Sequence, residues 1–320
     1  MRERSGAGLG LALLSALTFA TSGTFARPLI TGEWSAVAVV IARVGIAALV
    51  LAVPALLALR RRWPVLRRNA LTVVLFGLLG VAMAQACFFN AVRYLPVGVA
   101  LLLEYLGIVL VVGWMWLVHG QRPRRLTVAG SLTALLGLVF VLDLTGAGRL
   151  DPVGVLWGLG AGIGLAGYFV IAGRLDDALP SVVMASGGMA VGALALLLLG
   201  AVGALPLAAG TADVSFAGHR VSWLVPIAGL SLVAAVVAYL TGVAGTRLLG
   251  ARLSSFVGLT EVMFAVLIAW LVLNELPTAV QLAGGVLIVG GVALVRVDEM
   301  RSAPEAVAPA PAEPALSGDR

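Results

Sequence analysis

The stretch RYLPVGVALLLEYLGIVLVVGWMWLV, residues 93–118, returns at residues 247–272 as RLLGARLSSFVGLTEVMFAVLIAWLV. Both copies begin with arginine and end with Trp-Leu-Val, 154 positions apart. The spacing continues without a gap, because Pro123 falls on Pro277 and Gly137 falls on Gly291. A chain that repeats once at a fixed spacing consists of two similar halves. Since both copies are strongly apolar, we predict a doubled block of membrane helices.

The composition indicates that lipid is the solvent for most of the protein surface. Hydrophobic residues make up 61% of the chain and charged residues 11%, whereas soluble proteins carry about 25% charged residues. The formal net charge is +6, and all basic residues other than the two histidines are arginine. We attribute the absence of lysine to the base composition of the genome rather than to a chemical requirement for arginine. The single cysteine, Cys87, excludes an intramolecular disulfide.

Ten stretches are long enough to cross a membrane, which takes about 20 apolar residues. We predict an all-α polytopic membrane protein whose ten transmembrane helices form an inverted 5+5 repeat. The first repeat is predicted at residues 1–148 and the second at 149–297, followed by a disordered tail at 298–320 that is rich in Ala, Pro and Glu. The predicted spans 1 to 10 cover residues 8–27, 35–59, 70–92, 96–118, 126–144, 153–172, 181–204, 222–245, 252–273 and 278–296.

The positions of the arginines predict the orientation in the membrane. With a cytoplasmic N-terminus, sixteen arginines lie on the cytoplasmic side, four lie outside, and Arg43 lies within span 2. The clusters at 60–68 and 122–125 are therefore predicted to be topology anchors, with nucleic-acid contact a distant alternative. We predict a multi-pass protein of the cytoplasmic membrane with both termini in the cytoplasm. Since five spans per half is an odd number, the second half enters the membrane inverted, an arrangement that supports alternating access around a midplane cavity.

Three segments resemble the EamA family of the drug/metabolite transporter superfamily. They are AVRYLPVGVALLLE at 91–104, GARLSSFVGLTE at 250–261 and AWLVLNELP at 269–277, and the resemblance extends to about residue 296. It implies a ten-helix carrier in which spans 1–4 and 6–9 enclose a central cavity and spans 5 and 10 are peripheral. Members export or exchange amino acids and other small metabolites, and LEYLG at 103–107 looks most like the amino-acid exporter branch. Ile108 and Val262 stand where the family commonly has proline, so the sequence supplies no proline to kink spans 4 and 9.

Two charged residues lie at matching depth in the first half. Arg43 and Glu104 each lie eight residues from the outer end of their span, about 12 Å deep. A charge at such depth costs about 2.5–3.5 kcal/mol on insertion scales and needs a physical reason. We predict an Arg43–Glu104 ion pair that faces the cavity and binds the charged groups of a zwitterionic substrate. The alternative is a fixed pair that only joins spans 2 and 4.

Glu261 lies about 13 Å from the cytoplasmic face of span 9. Span 7, the counterpart of span 2, contains no arginine, so the sequence shows no cationic partner for this carboxyl. A desolvated carboxyl without such a partner can exchange a proton near neutral pH. We therefore predict proton coupling at Glu261. The alternatives are a protonated carboxyl bonded to Ser254, Thr260 or backbone, and direct contact with substrate.

Uncharged polar side chains complete the predicted substrate-binding set. Each of them is, taken alone, more often a helix–helix hydrogen-bonding group than a ligand contact. The glycine-rich run at 158–167 is predicted to serve close helix packing, because no phosphate-loop context surrounds it. The predicted uncharged contacts are Thr21, Gln85, Asn90, Tyr105, Tyr168 and Tyr239.

The sequence predicts a carrier that exports or exchanges a small polar metabolite, with an amino acid as the favoured substrate, by proton antiport or exchange. A lipid-carrier flippase and a nucleotide-sugar carrier remain as alternatives within transport. An intramembrane enzyme is disfavoured, since the chain has no His-Glu-x-x-His or Gly-x-Ser-x-Gly motif and Asp176-Asp177 has no second acidic motif. The expected partners are a small-molecule substrate and the lipid bilayer, with no cofactor, metal or nucleic acid, for a monomer or homodimer.

Overall fold

A computed structural model describes residues 2–60, 62–91, 93–95, 97–120, 122–141, 151–174, 179–273 and 278–302. In this part of the chain, nine helical spans are long and apolar enough to cross a membrane, and Arg125–Val141 is a shorter apolar helix. The prediction of an all-α membrane protein with ten spans is therefore confirmed. The numbers 1 to 10 are kept for the observed spans.

Five spans are one continuous helix, three consist of two α-helices separated by a single turn residue, and two contain a π-helical segment. The continuous spans are span 2 (Ala36–Leu59), span 5 (Arg125–Val141), span 6 (Pro152–Ala172), span 7 (Ser181–Ala201) and span 10 (Ala279–Ser302). The spans made of two α-helices are span 1 (Arg2–Ala20 and Ser22–Ile30), span 4 (Val97–Tyr105 and Gly107–His119) and span 9 (Ala251–Gly258 and Thr260–Leu273). The spans with a π-helical middle segment are span 3 (Ala70–Leu75, π-helical Phe76–Met83, Ala84–Ala91) and span 8 (Leu224–Ser231, π-helical Leu232–Val237, Ala238–Leu249). A further short helix, Trp63–Arg68, precedes span 3.

Two features differ from the prediction. The linker between spans 7 and 8 contains an antiparallel hairpin of β1 (Val214–Phe216) and β2 (His219–Val221). Its turn residues Ala217 and Gly218 have φ of 48° and 80°, the left-handed pair that two-residue hairpin turns require. Span 10 continues to Ser302, so the predicted start of the disordered tail at residue 298 is wrong. Asp298, in this extension, is buried and accepts a hydrogen bond from Thr127 Oγ1 of span 5 at 2.5 Å, which ties the end of span 10 to span 5. The rest of the predicted tail, 303–320, lies outside the described residues.

The packing of the spans has the symmetry of a two-fold axis that exchanges the halves. Span 1 packs on spans 8 and 9, and span 6, its counterpart, packs on spans 3 and 4. Span 2 packs on its counterpart span 7, span 4 on span 9, and span 5 on span 10. Exchanging each span with its counterpart in the other half (1 with 6, 2 with 7, and so on) therefore turns every pairing into another observed pairing or leaves it unchanged.

Two loops at opposite ends of span 8 show that the halves are inverted. The ring of Trp34, in the loop after span 1, lies 5.6 Å from the ring of Trp223, which precedes span 8. Leu179, in the loop after span 6, accepts a hydrogen bond at 2.8 Å from Arg247 near the end of span 8. These loops are counterparts in the repeat, and they lie at opposite ends of the same membrane-spanning helix. The two halves are therefore antiparallel.

Spans 5 and 10 meet through glycines. A Cβ atom on Gly130 would lie 2.7 Å from the Gly291 carbonyl oxygen, and one on Gly291 would lie 2.6 Å from that of Gly130. Gly137 and Gly284 have the same reciprocal relation at 2.6 Å. Only glycine permits such a backbone-to-backbone approach, which is a common device for packing helices in lipid.

Spans 4 and 9 are interrupted although neither has a proline at the break. The turn residues are Leu106 and Leu259, where the helix tightens to bonds between residues three apart, such as Leu259 N to Phe256 O at 3.1 Å. In span 4 the neighbouring Gly107 packs directly on the Gly162 backbone of span 6. Irregular backbone is tolerated at membrane depth where protein covers it, and this close contact supplies the cover.

Candidate functional site

Arg43 is a buried cation in the middle of the helix bundle, with only 6% of its surface exposed. Its Nη2 donates a hydrogen bond of 2.6 Å to the carbonyl oxygen of Ala234, in the π-helical segment of span 8. Its guanidinium carbon lies 5.3 Å from the centre of the Phe19 ring of span 1. Its Nε has no hydrogen-bond partner among the described residues, so one donor remains for another group.

The predicted Arg43–Glu104 ion pair is not formed in the described part of the chain. Arg43 instead directs its charge at Glu261 of span 9 and at Tyr239 of span 8. Span 2 packs on spans 7 and 8, which turns Arg43 toward the second half of the protein. Two residues at equal depth face each other only if their helices also have matching rotations, and sequence depth does not determine rotation.

Glu261 lies in the first turn of the second half-helix of span 9. Tyr105 of span 4 and the Arg43 guanidinium are its polar neighbours, each close enough to interact electrostatically with the carboxyl. The partners expected from the sequence are occupied elsewhere or unpaired: Thr260 Oγ1 donates to the Val257 carbonyl at 2.7 Å, and Ser254 Oγ has no partner among the described residues. Glu261 therefore has the cationic neighbour that the sequence did not reveal.

Glu104 is half-buried and is the next-to-last residue of the first half-helix of span 4. The charge that acts on it comes from Glu261. Its own charge reaches Tyr239 of span 8 and the Cys87 thiol of span 3. The two glutamates, on spans 4 and 9, are thus within electrostatic reach of each other and are called the acidic pair below. Arg43 acts electrostatically on Glu261.

Aromatic rings form one wall of this site. Tyr168 of span 6 lies 5.9 Å from Tyr239, which in turn lies 5.0 Å from Phe19. Phe76 and Phe169 contact the other sides of the Tyr168 ring at 5.2 and 5.1 Å. The Tyr168 hydroxyl is buried without a partner among the described residues. The hydroxyl packs against the backbone of Gly242 in span 8, beside the Ser15 hydroxyl of span 1.

Glycines of span 6 bring this wall close to spans 3 and 4. Cβ atoms at Gly162 and Gly164 would lie 2.9 Å from the Leu103 carbonyl oxygen and 2.6 Å from the Ala84 nitrogen. The Tyr168 backbone packs in the same way on Gly80 of span 3. The prediction that the run at 158–167 serves close helix packing is confirmed.

Ring contacts and electrostatic interactions among the described residues link six of the nine predicted site residues, and none of them links the other three to this group. Thr21 Oγ1 donates within span 1 to the Thr18 carbonyl at 2.6 Å, and Asn90 Nδ2 donates within span 3 to the Ala86 carbonyl at 2.8 Å. Gln85 is half-buried on span 3 and forms no hydrogen bond with any described residue. The six that meet are Arg43, Glu104, Tyr105, Tyr168, Tyr239 and Glu261.

Three groups of this site were not predicted from the sequence. They are the Phe19 ring beneath Arg43, the Ala234 carbonyl oxygen and the Cys87 thiol beside Glu104. Phe19 and Cys87 look like ordinary apolar residues of a membrane helix. Ala234 contributes only backbone, and the π-helical winding that presents it has no sequence signature. Residues 78–83, in the π-helical segment of span 3, are the repeat counterparts of the π-helical residues 232–237.

Two grooves of the described chain lie away from the buried charges. The larger, about 400 Å³, lies between the second half of span 1 and the β-hairpin, beside Arg27, Ser215 and Phe216. The other, about 350 Å³, is an apolar groove between spans 9 and 10, beside Met263 and Gly285. An apolar groove on a membrane protein is accessible to lipid, so we place the candidate site at the buried charges instead.

The chemistry of the candidate site follows from its groups. One guanidinium with a spare donor and one spare phenol can bind a carboxylate, and an acidic pair can bind an ammonium or exchange a proton. Among the described residues, no cluster of three or more His, Cys, Asp or Glu side chains could hold a metal ion.

Comparison with known proteins places the whole membrane part of the chain in one class. The profile of the EamA-like transporter family matches residues 6–143 and again residues 152–297. YicL of Salmonella typhimurium, an uncharacterized inner membrane transporter, is 25% identical over 241 residues, which are 74% of this chain and 76% of YicL. A protein of known crystal structure superposes with a TM-score of 0.73 over 92% of this chain and 98% of its own length, at 20% identity. That last likeness supports the fold alone.

Proposed function

We propose that this chain, which belongs to the EamA-like transporter family, exports or exchanges a small polar metabolite, an amino acid, against protons. The family and YicL indicate a multi-pass membrane transporter rather than an enzyme. We further propose that it lies in the cytoplasmic membrane with both termini in the cytoplasm, as its arginines favour. The substrate class and the coupling are argued from the candidate site.

One observation carries the proposal: a buried guanidinium with an unused donor lies beside an acidic pair in the centre of the bundle. A buried donor without a partner is costly, on the order of 1–3 kcal/mol, and a substrate carboxylate would offset that cost. Arg43 Nε and the Tyr168 hydroxyl are the groups that would hold the carboxylate. Glu104 and Glu261 would share the tasks of holding the ammonium and exchanging the proton.

The same site argues against the alternative phosphate-bearing substrates. A nucleotide sugar or a lipid-linked diphosphate carries at least two negative charges, and its binding site requires several cations. Arg43 is the one basic residue among the described residues of the site, and two carboxyls stand beside it. A single carboxylate paired with an ammonium matches this charge pattern better.

Transport into proteoliposomes tests the function. Purified protein is reconstituted in vesicles with an acidic interior, and uptake of a panel of labelled amino acids is measured with and without a protonophore. We expect severalfold accumulation of at least one amino acid, abolished by the protonophore. Uptake of a nucleotide sugar in place of every amino acid would refute the proposed substrate class.

Arg43→Lys tests the proposed carboxylate site in the same vesicles. Lysine keeps the charge but lacks the fork of donors that reaches the Ala234 carbonyl and a ligand together. We expect the KM for amino-acid counterflow to rise about tenfold, as loss of one charge-assisted hydrogen bond of about 1.4 kcal/mol would cause. Arg220→Lys, on the exposed hairpin, is the matched control and should leave the KM unchanged. An unchanged KM in Arg43→Lys would remove Arg43 from the site.

A further inference from the structure

Six of the spans pack as two groups, spans 1, 8 and 9 and spans 3, 4 and 6, which the repeat exchanges. At the end of the bundle that carries Arg247, the two groups are in direct contact. The half-helix Ala251–Gly258 of span 9 packs there on span 6 and on Gly107–His119 of span 4. A Cβ atom on Gly173, just after span 6, would lie 2.8 Å from the Ala251 nitrogen, so the two backbones nearly touch. This end of the bundle is closed.

The opposite end, which carries the loop between spans 1 and 2, lacks this packing among the described residues. The repeat counterpart of the contact with span 6 would join Val97–Tyr105 of span 4 to span 1. The counterpart of the contact between spans 4 and 9 would join Val97–Tyr105 to Thr260–Leu273. Neither pair is packed comparably. Since an inverted repeat can exchange the conformations of its halves, the contacts at the closed end indicate how the other end closes.

Arg247 fastens the closed end. It is half-buried near the end of span 8, and its Nη1 donates hydrogen bonds to the Leu179 carbonyl oxygen at 2.8 Å and to Ser181 Oγ at 3.0 Å. Both acceptors lie where the loop after span 6 enters span 7. These charge-assisted bonds join span 8 of one group to the loop that continues span 6 of the other, so they can form only while this end is closed.

Arg93 is the repeat counterpart of Arg247, 154 residues earlier in the chain. Its side chain is exposed, and the one hydrogen bond that it forms with a described residue is to Asn90 Oδ1 of span 3, at 3.5 Å. The loop between spans 1 and 2 corresponds to the loop that Arg247 binds, and its one acidic residue, Glu33, is also exposed. A guanidinium and a carboxylate are thus both present, and not bonded to each other, at the less closely packed end.

We propose that Arg247 and Arg93 are alternating gate residues of the transport cycle. Arg247 holds one end shut in this structure, the cytoplasmic end in the proposed orientation. When that end opens, the two hydrogen bonds of Arg247 break, and Arg93 bonds the Glu33 carboxylate as the other end closes. The proposal rests on the proposed function only in that a carrier opens to the two sides in turn. It requires no particular substrate and no proton.

Cysteine accessibility tests the proposal in purified protein, because detergent leaves both ends of the bundle open to a maleimide. Ala251→Cys places a reporter in the contact with Gly173, and mass spectrometry separates its labelling from that of Cys87. In this background Arg247→Ala should speed labelling at position 251 about tenfold, since the bonds that hold this end shut are lost. Arg93→Ala should slow it severalfold, since the alternative state then loses its own bond.

The opposite signs separate a gate from a structural role, because a general loss of stability would speed labelling in both variants. Ser181→Ala removes one acceptor and keeps the guanidinium, so it should speed labelling about threefold even if Arg247→Ala fails to fold. Arg220→Ala, on the exposed hairpin, is the matched control and should leave labelling unchanged.

A disulfide tests the partner of Arg93. Glu33→Cys combined with Arg93→Cys should cross-link when oxidised with copper phenanthroline, and adding Arg247→Ala should speed the cross-link.

Three outcomes would overturn the proposal. They are labelling at position 251 that is not slower in Arg93→Ala, labelling that is not faster in Arg247→Ala and Ser181→Ala than in the control, and a cysteine pair at 33 and 93 that cross-links in neither background. None of these measurements uses a substrate. A wild type that gates in this way but transports no amino acid would therefore refute the proposed function alone.

Discussion

The Tyr168 side chain combines a well-packed ring with a buried hydroxyl that no described group bonds. Removing an unsatisfied buried hydroxyl is close to neutral for stability, because the folded protein loses no hydrogen bond. We therefore expect Tyr168→Phe to keep the melting temperature within about 2 °C and to weaken amino-acid binding about 3- to 10-fold, the effect of one neutral hydrogen bond. Thermal unfolding in detergent and titration with the transported amino acid measure the two effects.

Phe169→Leu is the control for ring packing at this position. It removes a ring that contacts Tyr168 at 5.1 Å but no polar group, so it should lower the melting temperature more than it lowers affinity. If Tyr168→Phe lowers stability and leaves binding intact, the hydroxyl has a structural partner and does not face the substrate.

The sequence alone identifies the charged residues within the spans, but it does not identify the groups that surround them. Arg43, Glu104 and Glu261 are conspicuous because charges are rare and costly within a membrane. The predicted ion pair was wrong because depth gives position along a helix and leaves rotation about it undetermined. The actual neighbours of Arg43 are an aromatic ring and a backbone carbonyl, two groups that carry no charge to attract notice.

At the level of the helices, the positions of the spans could be predicted from the sequence, but the breaks within them and the β-hairpin could not. The ten spans could be predicted because a membrane imposes a fixed length of apolar residues. The breaks in spans 4 and 9 could not, because they occur at Leu106 and Leu259, where no proline marks them in the sequence. The hairpin of β1 and β2 was missed because strands of three residues are too short to show an alternating pattern.

Close contact between spans 5 and 10 makes their glycines sensitive to any added atom. A Cβ atom at Gly137 would lie 2.6 Å from the Gly284 carbonyl oxygen and 2.7 Å from the Ile288 nitrogen, and backbone atoms cannot move aside as a flexible side chain can. We expect Gly137→Val to lower the melting temperature in detergent by about 5 °C or more. Thermal unfolding monitored by size-exclusion chromatography is the measurement.

Gly290→Val is the matched control for that prediction. Gly290 lies on span 10 next to Gly291, but a Cβ atom there would meet nothing within 4 Å. The same substitution at this position should change the melting temperature little. Equal losses at both glycines would mean that helix propensity, and not the contact between spans 5 and 10, sets the stability.

The whole molecule is a pair of antiparallel halves whose charges break their symmetry. The inverted packing supplies two similar half-sites, yet only the first half contributes an arginine, and the glutamates differ by three residues. A zwitterion carries one positive and one negative group, so its site needs unlike charges at its two ends. The asymmetric arrangement provides them, with a cation for the carboxylate and an acidic pair for the ammonium. The fold therefore brings similar helices from both halves together, and departures from the repeat supply the charges between them.

The proposed orientation can be tested on the same scale with single cysteines. Cys87 is buried, so the unmodified chain should react with a membrane-impermeant maleimide only after denaturation. Ser215→Cys, exposed on the hairpin, should react in intact cells. Arg124→Cys, exposed before span 5, should react only after the membrane is permeabilised. An inverted ten-span chain places the loops that contain these two positions on opposite sides of the membrane. Reversed labelling would place both termini outside. Labelling of both positions in intact cells would contradict the inverted arrangement itself.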